Sequence, residues 1–502
     1  MTIHNASHRA IGILLLSAML CSMTASCGTG EQTQETTAQD AVTTTAPETQ
    51  ATHDADGFLL DSIPDSLDFG GETITILGWN HYEDIEFKAD EQTGEIVNDA
   101  YYTRNQRVEE RLNVKLEFLE AEGRYGQTTF IDNVTKSVMS GSGDYDLTAG
   151  YSLGVASAVV SGIFTNLLRV EHLDFSKPWW SQQLVDSVTI ADALFFTAGD
   201  ISSSSISRIQ GIFFNADMLT DFSLENPYQL TVDGKWTLDK MLEMTAGVYK
   251  DMNGNNAKDE ADRFGFTCDR TQFQPSFFTS GMRAVVTDDT GKPVLSDLLA
   301  GERAVDVLEK LATFMSASKD GMVIAKTDDN TTFLENRALF HAFPLALISS
   351  EKLRSVRFDY GFVPWPKYTE EEEHVVVHSN AFTLWSIPLD AADISRSGAV
   401  METMASEGHR TIAPALFEMA YKVKYNTDES DLQSQIFDEM RANILVDAGR
   451  VFASLLPFNF SIYANCITKN EMTWVSTVES NRQALQKALD DIYAACKEYA
   501  DK

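Results

Sequence analysis

Between Thr73 and Tyr151 the hydrophobic period of the chain switches repeatedly between strand-like and helix-like, and that alternation limits the folds open to it. Thr73-Ile74-Thr75-Ile76-Leu77 alternates and runs into Gly78-Trp79-Asn80, which predicts a strand followed by a loop. From Asn98 to Leu112 the residues Tyr101, Val108 and Leu112 share one helical face, with Asn98 as N-cap and Asn113 as the stop. Val114 to Phe118 alternates again. Phe130 to Met139 reads as a helix that Gly141-Ser142-Gly143 breaks, and Asp146 to Tyr151 as a third strand. Strand, helix, strand, helix, strand is the pattern of a parallel sheet covered by helices, so the fold class is α/β.

The pattern continues less cleanly. Strands are expected at 194–198, 211–215, 360–363 and 381–385, and helices near 238–249, 301–317 and 395–407. Residues 471–502 read as one long helical segment. No internal repeat is visible. About 445 residues follow residue 57, enough for two domains.

The N-terminus reads differently. Ile11 to Leu20 is a short apolar run behind Arg9, followed by Thr24-Ala25-Ser26-Cys27. A charged start, a run of about ten apolar residues and small residues before a cut site predict a secretory signal at 1–26. The run is too short to cross a bilayer, which needs about 20 residues. The segment 24–27 resembles the lipobox of bacterial lipoproteins, with Thr24 where Leu is usual. That resemblance implies a lipid on Cys27. Residues 31–57 hold eight Thr, six acids, no Lys or Arg and a single large aliphatic, Val42. Such composition cannot bury enough surface to offset ordering, so 27–57 is expected to be a disordered tether, spanning about 30 Å as a flexible coil.

The formal net charge is −35, and removing residues 1–26 takes Arg9 and no acid, giving −36. Phosphate backbones repel such a chain, so nucleic acid is not an expected partner. Besides Cys21 and Cys27 the cysteines are Cys268, Cys466 and Cys496, without CxxC spacing. No disulfide framework is indicated, although one Cys466–Cys496 bridge stays open. Beyond Cys27 no apolar stretch approaches the length of a membrane span. Lipid would be the one attachment to a membrane.

Several further stretches carry a family resemblance. Asp68-Phe69-Gly70-Gly71-Glu72 leads into the first strand, and Gly94-Glu95-Ile96-Val97-Asn98-Asp99-Ala100 into the first helix. Gly143-Asp144-Tyr145-Asp146-Leu147 precedes the third strand, and Lys177-Pro178-Trp179-Trp180, Gly199-Asp200-Ile201 and Phe213-Phe214-Asn215 follow in order. Phe264-Gly265-Phe266 and Tyr360-Gly361-Phe362-Val363-Pro364 are of the same type. In this order the chain resembles the extracellular solute-binding lipoproteins of ABC importers, the sugar-binding class of Gram-positive gut anaerobes. The resemblance implies a two-lobed type II periplasmic-binding fold, with a hinge that closes the lobes around a ligand. Lobe one would be 68–205 with 362–405, and lobe two 206–361 with 408–465, leaving 466–502 as a helical tail. It also implies a monomer that delivers a carbohydrate, expected to be an oligosaccharide, to ABC permease subunits. A peptide or organic-acid ligand, a secreted carbohydrate-active enzyme and an adhesion module are the alternatives.

Sugar recognition needs flat aromatic faces and polar groups for hydroxyls, placed on loops after the carboxyl ends of strands. Trp79, Asn80 and Tyr151 end predicted strands, and Asp200 lies beside an expected crossover. Trp385 ends a returning strand, and Phe343 follows Phe340-His341-Ala342, where the resembling family contributes cleft residues. These six are the candidate ligand contacts. Trp179-Trp180 reads equally as packing or platform, Trp365 either way, and Trp236 and Trp474 as structural.

Residues 251–262 (DMNGNNAKDEAD) resemble an EF-hand-like calcium loop. Asp251, Asn253, Asn255, Asp259 and Asp262 would offer side-chain oxygens and Ala257 its carbonyl, a ring that suits hard Ca²⁺. Asn256 stands where Gly is usual and Asp262 where Glu is usual. A surface turn without metal is the alternative. No organic cofactor is expected. HExxH, GxSxG and Walker A motifs are absent, and no GxGxxG follows a strand, so the expectation is a binder, not an enzyme.

Overall fold

The computed structural model describes residues 53–54, 56–80, 86–421, 430–457 and 460–502. The expected signal segment, Cys27 and most of the expected tether lie outside the described residues.

The first sheet grows from the alternation at 73–151. β1 (Glu72–Trp79), α1 (Ile96–Leu112), β2 (Val114–Ala121), α2 (Thr129–Ser140) and β3 (Leu147–Tyr151) follow in order. β1 pairs in parallel with both β2 and β3, with Ile76 opposite Phe118 and Leu147. β3 is buried along its whole length, as a strand covered on both faces must be. Phe130 of α2 lies so close over β3 that a Cβ on Gly150 would sit 2.5 Å from its ring, so glycine is required there. α1 ends as the sequence predicts, with Asn113 in the left-handed conformation, but it starts earlier than expected: Glu95 is the N-cap, and Asn98 lies buried inside the helix with its amide bonded to the Glu91 carbonyl.

The second sheet is built from β4 (Gln210–Asn215), β5 (Phe264–Asp269), β8 (Gly321–Ile324), β9 (Ala338–Pro344) and β10 (Tyr360–Pro364). β6 (Val285–Thr287) and β7 (Pro293–Leu295) form a separate hairpin. The order in the second sheet is β10-β4-β9-β5-β8, with β4 antiparallel to both neighbours. β11 (Thr383–Ser386) returns to the first sheet, antiparallel to β3, giving β11-β3-β1-β2.

Two chain segments join the sheets, 201–209 and 365–382. They run antiparallel and bond to each other: Gln210 N–H donates to the Val377 carbonyl at 2.9 Å, and Ser379 N–H to the Arg208 carbonyl at 2.8 Å. His378 Nε2 adds a 2.7 Å bond to the Ser205 carbonyl. The paired crossovers form a short ribbon between the lobes.

The C-terminal third ties the two parts further. α3 (Ile394–Tyr421) packs along α1, and α4 (Ser430–Ala442) reaches the second sheet, where Phe437 stacks on Phe362. α5 (Trp474–Tyr499) is anchored at both ends. Trp474 Nε1 donates to the Leu299 carbonyl at 2.7 Å, and Asn166 Nδ2 to the Ala500 carbonyl at 2.8 Å.

Several boundaries differ from expectation. Residues 362–364 belong to β10 of the second sheet, so the return to the first sheet begins later, at β11. The expected break near 405–408 lies inside one continuous helix, because Gly408 lets α3 pass against the Asp200 carbonyl. The expected tail at 466 falls within a helix Ser461–Lys469. Residues 53–54 and 56–57 belong to the fold, not the tether: His53 bridges to Leu59, and Asp54 pairs with Arg410 at 3.5 Å. The expected strand at 194–198 makes isolated bridges only, as at Thr197 opposite Trp385. Cys268, Cys466 and Cys496 are buried and free.

Candidate functional site

The carboxyl ends of β1, β2 and β3 meet the start of β11, and this edge collects Trp79, Asn80 and Tyr151 of the six predicted residues. Trp79 is wholly buried there. Its indole N–H donates to Thr383 Oγ1 at 2.9 Å, and the Thr383 hydroxyl donates to Glu86 Oε2 at 2.8 Å. Burial holds the Glu86 carboxyl above the usual carboxylate range. Tyr151 tilts against Trp79 at 5.3 Å between centroids and retains slight exposure. Next to it, Ser152 Oγ donates to the Asn380 carbonyl at 2.6 Å. Asn80 is exposed, and its carbonyl and Oδ1 accept from Arg124 at 3.1 and 3.0 Å.

The facing edge belongs to the second sheet. Gln210, first residue of β4, receives Arg450 Nη2 on its Oε1 at 2.9 Å and donates from Nε2 to Gln272 Oε1 at 3.1 Å. Arg450 Nε donates to Asn380 Oδ1 at 3.2 Å. One buried guanidinium therefore joins the second sheet to the crossover that enters the first. Its Nη1 has no hydrogen-bond partner among the described residues. Burial lowers Arg450 to about 10, which leaves it charged at neutral pH. Phe343 stands opposite Gly211 on β4, half-buried, with its ring stacked over His341 at 6.1 Å.

Three of the predicted residues are buried, with their polar groups bonded inside the fold. Trp79 and Trp385 have no exposed surface, and the Trp385 indole N–H is bonded to Ser202 Oγ at 2.7 Å. Both rings fill core space under the edge. Asp200 lies on the α3 side, bonded to His409 Nδ1 at 2.5 Å and to Arg441. Its charge is matched inside the fold. At the two edges Asn80 is exposed, Phe343 half-buried and Tyr151 buried but for 6% of its surface.

The other tryptophans are structural. Trp179 and Trp180 each donate an indole N–H to one oxygen of Glu402, both at 2.9 Å. Trp236 donates to the Pro364 carbonyl at 2.8 Å, and Trp365 packs edge-on to Phe266 at 5.9 Å.

In the 251–262 loop, Asn256 does adopt the left-handed conformation its place requires. The Asn253 and Asn255 amides donate to Asp259, at 3.2 and 2.6 Å. Asp262 is buried and accepts from Met252 N–H at 3.0 Å and the Tyr249 hydroxyl at 2.9 Å. The donors are hard oxygens suited in kind to Ca²⁺. Among the described residues no group of three or more His, Cys, Asp or Glu is arranged to hold a metal ion.

Sequence reasoning missed Gln210, Gln272, Asn380 and Arg450. Nothing local marks Arg450, since it stands 240 residues from Gln210. Tyr125, also missed, did leave a signal: Gly123-Arg124-Tyr125-Gly126 follows a predicted strand, as ligand-bearing loops do.

No known family's sequence model matches the chain, and no curated protein matches it. Solved structures do. A sugar transporter from Rhizobium etli in an open conformation aligns with a TM-score of 0.54 at 13% identity, covering 85% of this chain and 99% of its own. An ABC transporter solute-binding protein from Thermotoga lettingae, bound with α-D-tagatose, aligns at 0.51 and 12% identity, covering 84% and 100%. A cyclo/maltodextrin-binding protein complexed with maltotetraose aligns at 0.52 and 12% identity, covering 84% and 96%. The likeness is one of fold: a mixed α/β, two-lobed type II periplasmic-binding architecture. Among the described residues no helix is long and apolar enough to cross a membrane.

Proposed function

We propose that this chain is a receptor that captures a carbohydrate, expected to be an oligosaccharide, between the edges of its two sheets and delivers it to an ABC permease. The observation that carries this is the array of Arg450, Gln210, Gln272 and Asn380, which links both lobes beside Tyr151 and Phe343. Amides and a guanidinium suit sugar hydroxyls, and the two rings suit the apolar face of a pyranose. Two of the aligned structures hold sugars. The paired crossovers supply a hinge, and closure about it would signal the loaded state to the permease. The chemistry is binding without turnover.

A lipid on Cys27 would keep this monomeric receptor at the extracellular face of the membrane. Replacing Cys27 with Ala should release it into the medium; retention on cells would refute the anchor. We also propose a structural Ca²⁺ at 251–262, supported by six oxygen donors on one short loop and by left-handed Asn256. Calorimetric titration of the wild type and Asp251→Ala with Ca²⁺ tests this, and an absence of heat from the wild type ends it.

The main reading is tested by thermal shift of the purified protein against oligosaccharides, organic acids and peptides. A large shift with one sugar class, without turnover, is expected. A shift with peptides or organic acids only, or hydrolysis of the sugar, would overturn it.

A further inference from the structure

Tyr125 is the single exposed aromatic side chain among the described residues, at 74% exposure. An exposed ring offers a flat apolar face that a ligand can cover. Its place in the fold bears on what that ligand is. Tyr125 lies on the loop after β2, at the same carboxyl edge as Trp79 and Tyr151.

The loop is not slack. Arg124 reaches back to the Asn80 carbonyl and Oδ1, which ties the loop to the end of β1. Gln127 Oε1 accepts from Arg124 N–H at 3.0 Å, and Gln127 N–H donates to the Arg124 carbonyl at 2.8 Å. Gly126 turns the chain with φ of +79°, a conformation that favours glycine. On the inner side, a Cβ on Gly123 would stand 2.9 Å from Phe130 and 3.1 Å from Trp79, so the loop seats on the core. The backbone that carries Tyr125 is thus held in advance, and a ligand stacking there would not have to order it.

We infer that Tyr125 is an outer stacking platform of the carbohydrate site, and that the ligand is an oligosaccharide lying across the carboxyl edge of the first sheet. This rests on the carbohydrate reading above. Strand order sets the span. Tyr125 follows β2 at one side of the sheet, while Asn380 and its partner Arg450 lie at the start of β11, on the other. Three strand spacings of about 4.8 Å separate them, about 14 Å in all. A single pyranose ring does not reach from one to the other.

The test is a set of affinity measurements on the purified protein and on Tyr125→Ala, an exposed substitution that leaves the core intact. The probes are malto-, cello-, xylo- and manno-oligosaccharides of one to six units. In the ladder that binds the wild type, affinity should climb with length through the tetrasaccharide. Tyr125→Ala should lose roughly tenfold with the longer members and nothing with the shortest, and Tyr125→Phe should retain the gain. Identical affinities in wild type and Tyr125→Ala would overturn the platform while leaving the receptor reading intact. Saturation of the length effect at one unit would overturn the extended ligand. Absence of binding to any ladder would overturn the carbohydrate reading, and the platform with it.

Discussion

Trp79 donates its indole N–H to the Thr383 hydroxyl at 2.9 Å, although the two residues stand 304 positions apart. The bond joins the end of β1 to the start of β11, and Thr383 passes it on to Glu86. A tryptophan expected from the sequence to be a ligand platform is thus a buried clamp between β1 and β11. Tyr151, buried at 6% exposure, tilts against it, and Phe343 on the second sheet is half-buried.

Truncation of this clamp should register as stability before it registers as binding. Trp79→Ala is expected to lose about 3–5 kcal/mol, since it empties a fully packed site. Trp79→Phe should lose about 1–3 kcal/mol through the stranded Thr383 and the smaller ring. Urea denaturation of both variants measures this, and wild-type midpoints would contradict the role.

Arg450 should separate binding from folding less cleanly, because it serves both lobes. Arg450→Met is expected to weaken saccharide binding at least tenfold, in keeping with charged hydrogen bonds of about 1.5–3 kcal/mol. Arg450→Lys should restore the charge but not the two-amide fork. Calorimetry on both variants checks the order, and equal affinity in Arg450→Met would remove this residue from the site.

Three histidines make the fold acid-sensitive. Burial lowers His341, His374 and His378 to about 4 each, from an ordinary 6.5. The unfolded chain therefore takes up protons first as pH falls. Their contribution is whole above pH 6.5 and is lost as pH drops toward 4, on the order of 3 kcal/mol for each ring. Unfolding free energy measured from pH 7.5 to 4 should decline through that window, and a flat profile would show that these rings are not buried neutral.

Glu402 works in the opposite sense. Burial pushes its carboxyl up to about 7 even though two indole N–H groups bond it. A raised carboxylate favours the fold below pH 4.5 and loses that advantage as pH rises to 7. Glu402→Gln, which does not titrate, should gain on the wild type by about 3 kcal/mol between pH 4.5 and 8. Parallel denaturation curves at the two pH values decide it.

Much of the first lobe was legible in the sequence. The predicted elements from 73 to 151 appear within a few residues of their places, because hydrophobic period and caps act over one or two turns. Asn113 as helix stop needed no tertiary knowledge. The second sheet was harder. β4 and β10 stand where strands were expected, but β5 and β9 were not read as strands: they are buried along their length and show no alternation.

The sequence by itself determined the α/β alternation, the Asn113 stop of α1 and the loops that follow strand ends. Those features depend on neighbours a few residues away. Tertiary structure alone decided which polar groups share a site and which aromatic rings see water. It buried Trp79 and Trp385, bonded Asp200 to His409 and Arg441, and brought Arg450 to Gln210 across 240 residues. Burial and hydrogen-bond partnership are properties of packed surfaces, and no local period encodes which surfaces will meet.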